Sequence, residues 1–168
     1  MTKPLRVLGI DTSLRSTGVG VIEAEGSHIR AREYGTIKNK PALSHSACLR
    51  RIHEGICEIV EKESPTAVAI EGIFHFKNIK TAVTLGQARG VVIAVCALAD
   101  LPVYEYAPRR VKQAVVGYGN AHKSQVGQMI KKLLNLDEVP PEDPADALAI
   151  AICHLHCAKG VTAEGQRL

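Results

Sequence analysis

Four acidic residues hold most of the chemistry this sequence offers. Asp11 closes the apolar run Leu5-Arg6-Val7-Leu8-Gly9-Ile10, and Glu71 closes Ala67-Val68-Ala69-Ile70. Asp143 and Asp146 open the apolar stretch that begins Ala147-Leu148-Ala149-Ile150. Each carboxylate therefore stands at the end of a segment that should be buried. Two carboxylates at ~4 Å repel by ~4 kcal/mol at an effective dielectric near 20. Bringing four of them together makes sense only around positive charge, which points to divalent cations and to phosphoryl transfer. Simpler roles stay open for three of the four. Asp143-Pro144-Ala145-Asp146 has the form of a helix start, with Asp143 as cap and Pro144 in the first turn. Asp11 suits an Asx-type turn between strands. Glu71 is harder to explain away, because an acid continuing a buried strand is rarely there for solubility.

The elements that would position these acids follow from hydrophobic periodicity. Leu5–Asp11 reads as a central strand, joined by the polar loop 12–16 to a second strand, Thr17–Ile22, and then to a more polar edge strand, His28–Lys38. Ser44–Glu63 has helical spacing at Cys48, Leu49, Ile52, Ile56, Ile59 and Val60, and stops before Pro65. Thr66–Glu71 is a buried strand, Asn78–Ala99 a long helix and Pro102–Tyr106 a last strand. Helices are expected at Pro108–Val116, Lys123–Leu134 and Pro144–Ala158, with a frayed polar tail over 159–168. The fold class is α/β: a five-stranded mixed sheet flanked by helices, in a single domain over 1–158. The ends of the first and fourth strands can then lie side by side, with the helix start at Asp143 facing them.

Composition narrows the partners. The 168 residues carry a net charge of +4. Between Gly72 and Leu136, however, nine bases face only Asp100 and Glu105, so this stretch holds +7 and the rest −3. A basic half around an acidic site suits a polyanionic substrate cut with metal ions. The longest run of apolar residues, Gly90–Ala99, is well short of the ~20 needed to span a bilayer. Five cysteines without a Cys-x-x-Cys pair suit reduced thiols and a cytoplasmic location.

Several segments, in order, are recognisable. Val7-Leu8-Gly9-Ile10-Asp11 with Thr17-Gly18-Val19-Gly20-Val21-Ile22 resembles the start of the RuvC family of Holliday-junction resolvases. Ala69-Ile70-Glu71-Gly72-Ile73-Phe74, then Lys77-Asn78 and Leu85-Gly86-Gln87-Ala88-Arg89-Gly90, resemble its middle. Val111–Gly117 and Lys123-Ser124-Gln125-Val126 look like its basic segments, and Asp143–Ala151 like its terminal acidic motif. The resemblance implies a ribonuclease H-like fold, a homodimer, and Mg²⁺- or Mn²⁺-dependent cutting of four-way DNA junctions with two ions per subunit. The family's catalytic acids fall on Asp11, Glu71, Asp143 and Asp146, and its important lysines on Lys112 and Lys123, Lys123 being the one expected at the scissile phosphate. Phe74 falls on the residue inserted at the crossover, and Lys77, Arg89 and Arg109 on the expected DNA-binding set. The branch-migration proteins RuvA and RuvB are the further partners implied. One departure stands out: Thr12-Ser13 follow Asp11 where the family usually has Pro-Gly, so this turn should be built through hydroxyl–backbone bonds.

Other features admit plainer readings. Phe74 and Phe76, the only two Phe, suit core filling as well as base stacking. Ala82, Gly86, Gly90 and Ala94 repeat every four residues and predict close packing, against the protein's own sheet or a second subunit. Cys153-His154-Leu155-His156-Cys157 reads as packed and surface side chains rather than a zinc cluster. Two rivals remain: a junction-binding module without catalysis, and an actin- or Hsp70-like nucleotide domain suggested by Gly9-Ile10-Asp11-Thr12-Ser13 with Thr17-Gly18.

Overall fold

The computed structural model describes residues 4–73, 78–158 and 165–168. Three antiparallel strands come first: β1 (Leu5–Asp11), β2 (Ser16–Glu25) and β3 (His28–Lys38). After them come α1 (His45–Glu63), β4 (Ala67–Glu71), α2 (Ile79–Leu98), β5 (Val103–Tyr106), α3 (Pro108–Val116), α4 (Lys123–Leu133), α5 (Glu142–Ala158) and β6 (Gln166–Arg167). The sheet order is β3-β2-β1-β4-β5-β6, with β1, β4 and β5 parallel and the others antiparallel. This is the ribonuclease H-like arrangement, a mixed sheet between two helical layers.

Alternation along the central strands divides the core in two. Leu8, Ile10, Val68 and Ile70 face α1 and α2, meeting Ile52, Ile56, Val92 and Cys96. Val7, Ile22 and Ala69 face the other way, onto α5 with α3 and α4 behind it. The side chains of Asp11 and Glu71 continue the second set, so both carboxylates emerge on the α5 side. Helix α5 is apolar around most of its circumference because it is covered by the sheet on one side and by α3 and α4 on the other.

Three differences from the sequence reading have local causes. The sheet has six strands, because the end of the chain is not frayed throughout: Gln166 and Arg167 pair with Glu105 and Tyr104, and Leu168 N donates to Val103 O. Helix α5 starts at Glu142, with Ala145 N bonded to Pro141 O, so Asp143 lies in the first turn instead of capping it. Pro144 is tolerated there because first-turn N–H groups have no intrahelical acceptor. The apolar run Gly90–Ala99 is the second half of α2 with its C-cap, and α2 is a 20-residue helix long and apolar enough by length and composition to cross a membrane and is mostly unburied. Its inner face packs on α1 and the sheet and carries a buried arginine, which marks it as a helix of this domain with an exposed apolar side.

Glycines set how closely α5 approaches the sheet. A Cβ on Gly9 would stand 2.0 Å from Ala147 O, and one on Gly18 would stand 2.1 Å from Asp143 O. A Cβ on Gly20 would stand 2.8 Å from the Leu148 side chain. The helix backbone thus rests on bare backbone of β1 and β2. Gly18→Ala should lift the start of α5, at the 1–3 kcal/mol typical of overpacking. That is a fall in melting temperature of roughly 2–4 °C per kcal/mol for a domain of this size. Gly35→Ala, where a Cβ meets nothing within 4 Å, should leave thermal melting unchanged.

Candidate active site

The four acids converge through register. Asp11 pairs with Gly18 on β2, and Gly18 is the residue pressed against the backbone of Asp143. On the other side Ile10 pairs with Ile70, which sets Glu71 beside Asp11 at the ends of two parallel strands. Asp146 follows Asp143 by three residues and shares its helical face. The ends of β1 and β4 and the start of α5 are therefore neighbours.

Their electrostatics show the same convergence. Burial first, then the charges of Asp146, Glu71 and Asp143, push the Asp11 carboxyl up to about 7, against the pull of Lys123. Glu71 is raised by burial and by Asp146, with Lys123 and Lys112 opposing. Asp146 is raised by burial, although Lys123 bonds to it directly. Ser16 Oγ donates to Asp143 Oδ2 and fixes that side chain.

Lys123, the first residue of α4, places its ammonium between Glu142 and Asp146, 3.2 Å from Asp146 Oδ2. Hydrogen bonds to Glu142 and Asp146 hold it well above the usual lysine range. Lys112 on α3 is close enough to act on Glu71. Arg109, also on α3, is exposed and lies over Gly119, where even a Cβ would collide with its stem. Phe74 and Lys77, with His75 and Phe76, lie outside the described residues. Arg89, expected at DNA, is placed elsewhere: its guanidinium is buried against Glu71 O and the Glu105 carboxylate. His154 bonds the Tyr106 hydroxyl and His156 the Ala114 carbonyl, so the Cys-His segment is packed as expected.

The turn after Asp11 does use a hydroxyl, but from Thr17. Its buried Oγ1 donates to Ser13 O at 2.5 Å and accepts from Ser13 N at 3.3 Å. The Thr12 hydroxyl is itself buried without a partner among the described residues. Ser16, Thr17, Glu142 and the glycine seat escaped the sequence reading. Gly9, Gly18 and Gly20 carried a signal, since glycine is depleted in strands except where another backbone comes close.

As donors, four carboxylates and an orphaned hydroxyl match hard divalent cations. Among the described residues no three acidic, His or Cys side chains yet stand at coordination distance from one point. The four carboxylates are nonetheless near enough for the charges of Asp146, Glu71 and Asp143 to raise Asp11.

Linkage follows from Asp11. Its folded carboxyl binds a proton more tightly than the unfolded one, about 7 against 3.8. Between those values the unfolded chain ionises first, so stability falls as pH rises and the penalty is complete above 7. In metal-free buffer at pH 8, Asp11→Asn should therefore melt higher than the parent chain, with the gap closing near pH 4. Calorimetry at the two pH values checks this, and a gap independent of pH contradicts it.

Comparisons with known proteins bear on the family and the fold. The family described as crossover junction endodeoxyribonuclease RuvC matches residues 7–154. A protein of that name from Geotalea uraniireducens is 50% identical over 150 residues, covering 89% of this chain and 88% of the relative. Another from Caldicellulosiruptor saccharolyticus is 45% identical over 159 residues, covering 94% and 96%. Among solved structures, T. thermophilus RuvC in complex with a Holliday junction substrate superposes with a TM-score of 0.90 at 35% identity, covering 96% of this chain and 99% of that one. Matches of this extent place the chain in the RuvC family of crossover junction endodeoxyribonucleases.

Proposed function

We propose that this chain is a metal-dependent endonuclease that resolves four-way DNA junctions by paired, symmetrical nicks. The observation that carries the reading is the convergence of Asp11, Glu71, Asp143 and Asp146 beside Lys123 and Lys112. The relatives' names and the junction in the T. thermophilus complex support the substrate class.

Membership of this nuclease family implies a divalent metal. When bound, two Mg²⁺ (Mn²⁺ suits the same oxygens) supply the Lewis acidity that activates a water and neutralises charge developing on the phosphate. The four acids are the residues that would hold them. Burial raises the carboxyls of Asp11, Glu71 and Asp146, and a divalent cation would compete with the proton for those oxygens. Lys123 is paired with exposed Glu142 and half-exposed Asp146, contacts weak enough to exchange for a phosphate oxygen. It serves to neutralise the scissile phosphate. Lys112 and Arg109 grip flanking phosphates, and on the sequence evidence Lys77 joins them while Phe74 stacks at the crossover.

Symmetrical nicking needs two sites, and α2 supports a homodimer. Ile79 and Leu98 are 83% exposed and Val83 is 55% exposed. Gly86 and Gly90 face open space, so the small-residue stripe does not pack on the protein's own sheet. RuvA and RuvB as partners and a cytoplasmic setting complete the proposal and rest on the family resemblance.

Incubating the protein with a synthetic four-way junction, with and without Mg²⁺, tests the reading directly. Paired nicks only with metal are expected; binding without cutting would leave a junction-binding module. Asp146→Asn should cost at least the ~10²-fold that loss of a mere support to a metal ligand can cost, while junction binding persists. Affinity should fall by roughly 0.9 log units per log unit of salt for each phosphate neutralised. Val83→Glu should turn a dimer into a monomer in sedimentation; an unchanged mass would remove α2 as the interface.

A further inference from the structure

Arg89 is a cationic side chain in a DNA-cutting protein, yet little of it meets solvent. Its side chain is 10% exposed. Nη1 donates to the main-chain carbonyl of Glu71 at 2.6 Å, and Nη2 donates to Glu105 Oε2. Glu105 lies on β5, next to β4, where Ile70 pairs with Glu105 and Glu71 with Tyr106. One planar guanidinium thus joins α2 to the last residue of β4 and to its neighbouring strand.

The position matters more than the pairing. Ile70 belongs to the core half that faces α1 and α2, so the Glu71 carboxylate, one residue on, points to the opposite face among the other acids. Arg89 therefore approaches Glu71 from behind. Ala88, Val92, Val95 and Cys96 of the same helix are buried with Val68, Ile70 and Val103, which fixes the base from which Arg89 reaches. The end of β4 is otherwise tied by Gly72 N to Tyr106 O at 2.8 Å. Beyond that bond the chain leaves the sheet. The Arg89 bond to Glu71 O is the second tie on that strand end, made from the face opposite the carboxylate.

We infer that Arg89 is a positioning residue that holds Glu71 in the catalytic cluster through the β4 backbone, and that it does not contact DNA. The guanidinium suits this work because its rigid fork holds a carbonyl and a carboxylate in one plane, which a lysine ammonium does not. Glu105 is the counter-charge that lets the arginine stay charged while buried. The inference rests on the nuclease reading above, and its test separates the two.

The test uses the full chain, wild type against Arg89→Lys. Five quantities are measured: thermal melting, junction binding in EDTA, kcat and KM with Mg²⁺, and calorimetric binding of Mg²⁺ alone. Displacing a reacting group by about 1 Å can cost 10²-fold in rate. Arg89→Lys should therefore lose on the order of tenfold to a hundredfold in kcat and bind Mg²⁺ more weakly. Its KM and its metal-free junction affinity should stay within about twofold of wild type. Loss of junction affinity in EDTA with kcat intact would make Arg89 a DNA contact and overturn the inference; so would unchanged kcat and Mg²⁺ binding. The double variant Arg89→Met/Glu105→Met removes both buried charges together and should show the same split, which keeps the test decisive where the single variant melts. A wild-type protein that fails to cut the junction at all would sink the nuclease reading, whereas the Mg²⁺ calorimetry still judges the role of Arg89.

Discussion

Helix α5 touches the sheet backbone to backbone. At most helix–sheet contacts side chains keep the two layers ~10 Å apart, but Gly9, Gly18 and Gly20 remove them from the path. Bare backbone here costs conformational entropy in the unfolded chain and side-chain packing in the folded one. The return is geometric. With the first turn of α5 resting on Gly18, the partner of Asp11, two carboxylates of the helix are set against two of the strands with no flexible loop between them. Every other part of the site depends on that contact, because the acids have no attraction for one another and must be held by the scaffold.

The same scaffold carries an electrostatic load. Burial and mutual repulsion raise Asp11, Glu71 and Asp146, and Lys123 and Lys112 offset them. A site assembled against its own charge is stabilised by whatever cation enters it, so metal binding and folding stability are coupled. Arg89 and Ser16 belong to this account even though neither bears on the cations directly. Arg89 holds the strand end of Glu71 from behind and Ser16 holds the side chain of Asp143. They restrain Glu71 at the end of β4 and Asp143 in the first turn of α5.

Much of this was legible in the sequence for physical reasons. Buried strands ending in acids and an apolar helix opening with two more are patterns that few other constraints produce. The strand periods placed Asp11 and Glu71 correctly because parallel strands beside each other leave little freedom in register. What sequence could not supply was the third dimension of the same pattern. Arg89 reads as a DNA contact from its charge and its place in a family-like segment, and packing turns its side chain inward onto Glu71 O and Glu105. The Thr12-Ser13 turn was correctly expected to use a hydroxyl, but the donor, Thr17, lies on the following strand and is brought back by the tightness of the turn. The short strand at Gln166–Arg167 was hidden because two polar residues have no period; they pair only because β5 presents an open edge.

Helix α2 joins the two scales of the molecule. Its inner face contributes Ala88, Val92, Val95 and Cys96 to the core and Arg89 to the strand end of Glu71, while Ile79, Val83 and Leu98 face outward. An exposed apolar stripe with open glycines is costly for a lone subunit, and a second copy covering it would bury that surface. One helix therefore carries both the exposed apolar stripe and, on its inner face, the arginine bonded to the strand end of Glu71. The two faces answer different constraints: the inner one is fixed by packing against the sheet, and the outer one has small residues and apolar side chains that the sheet leaves uncovered.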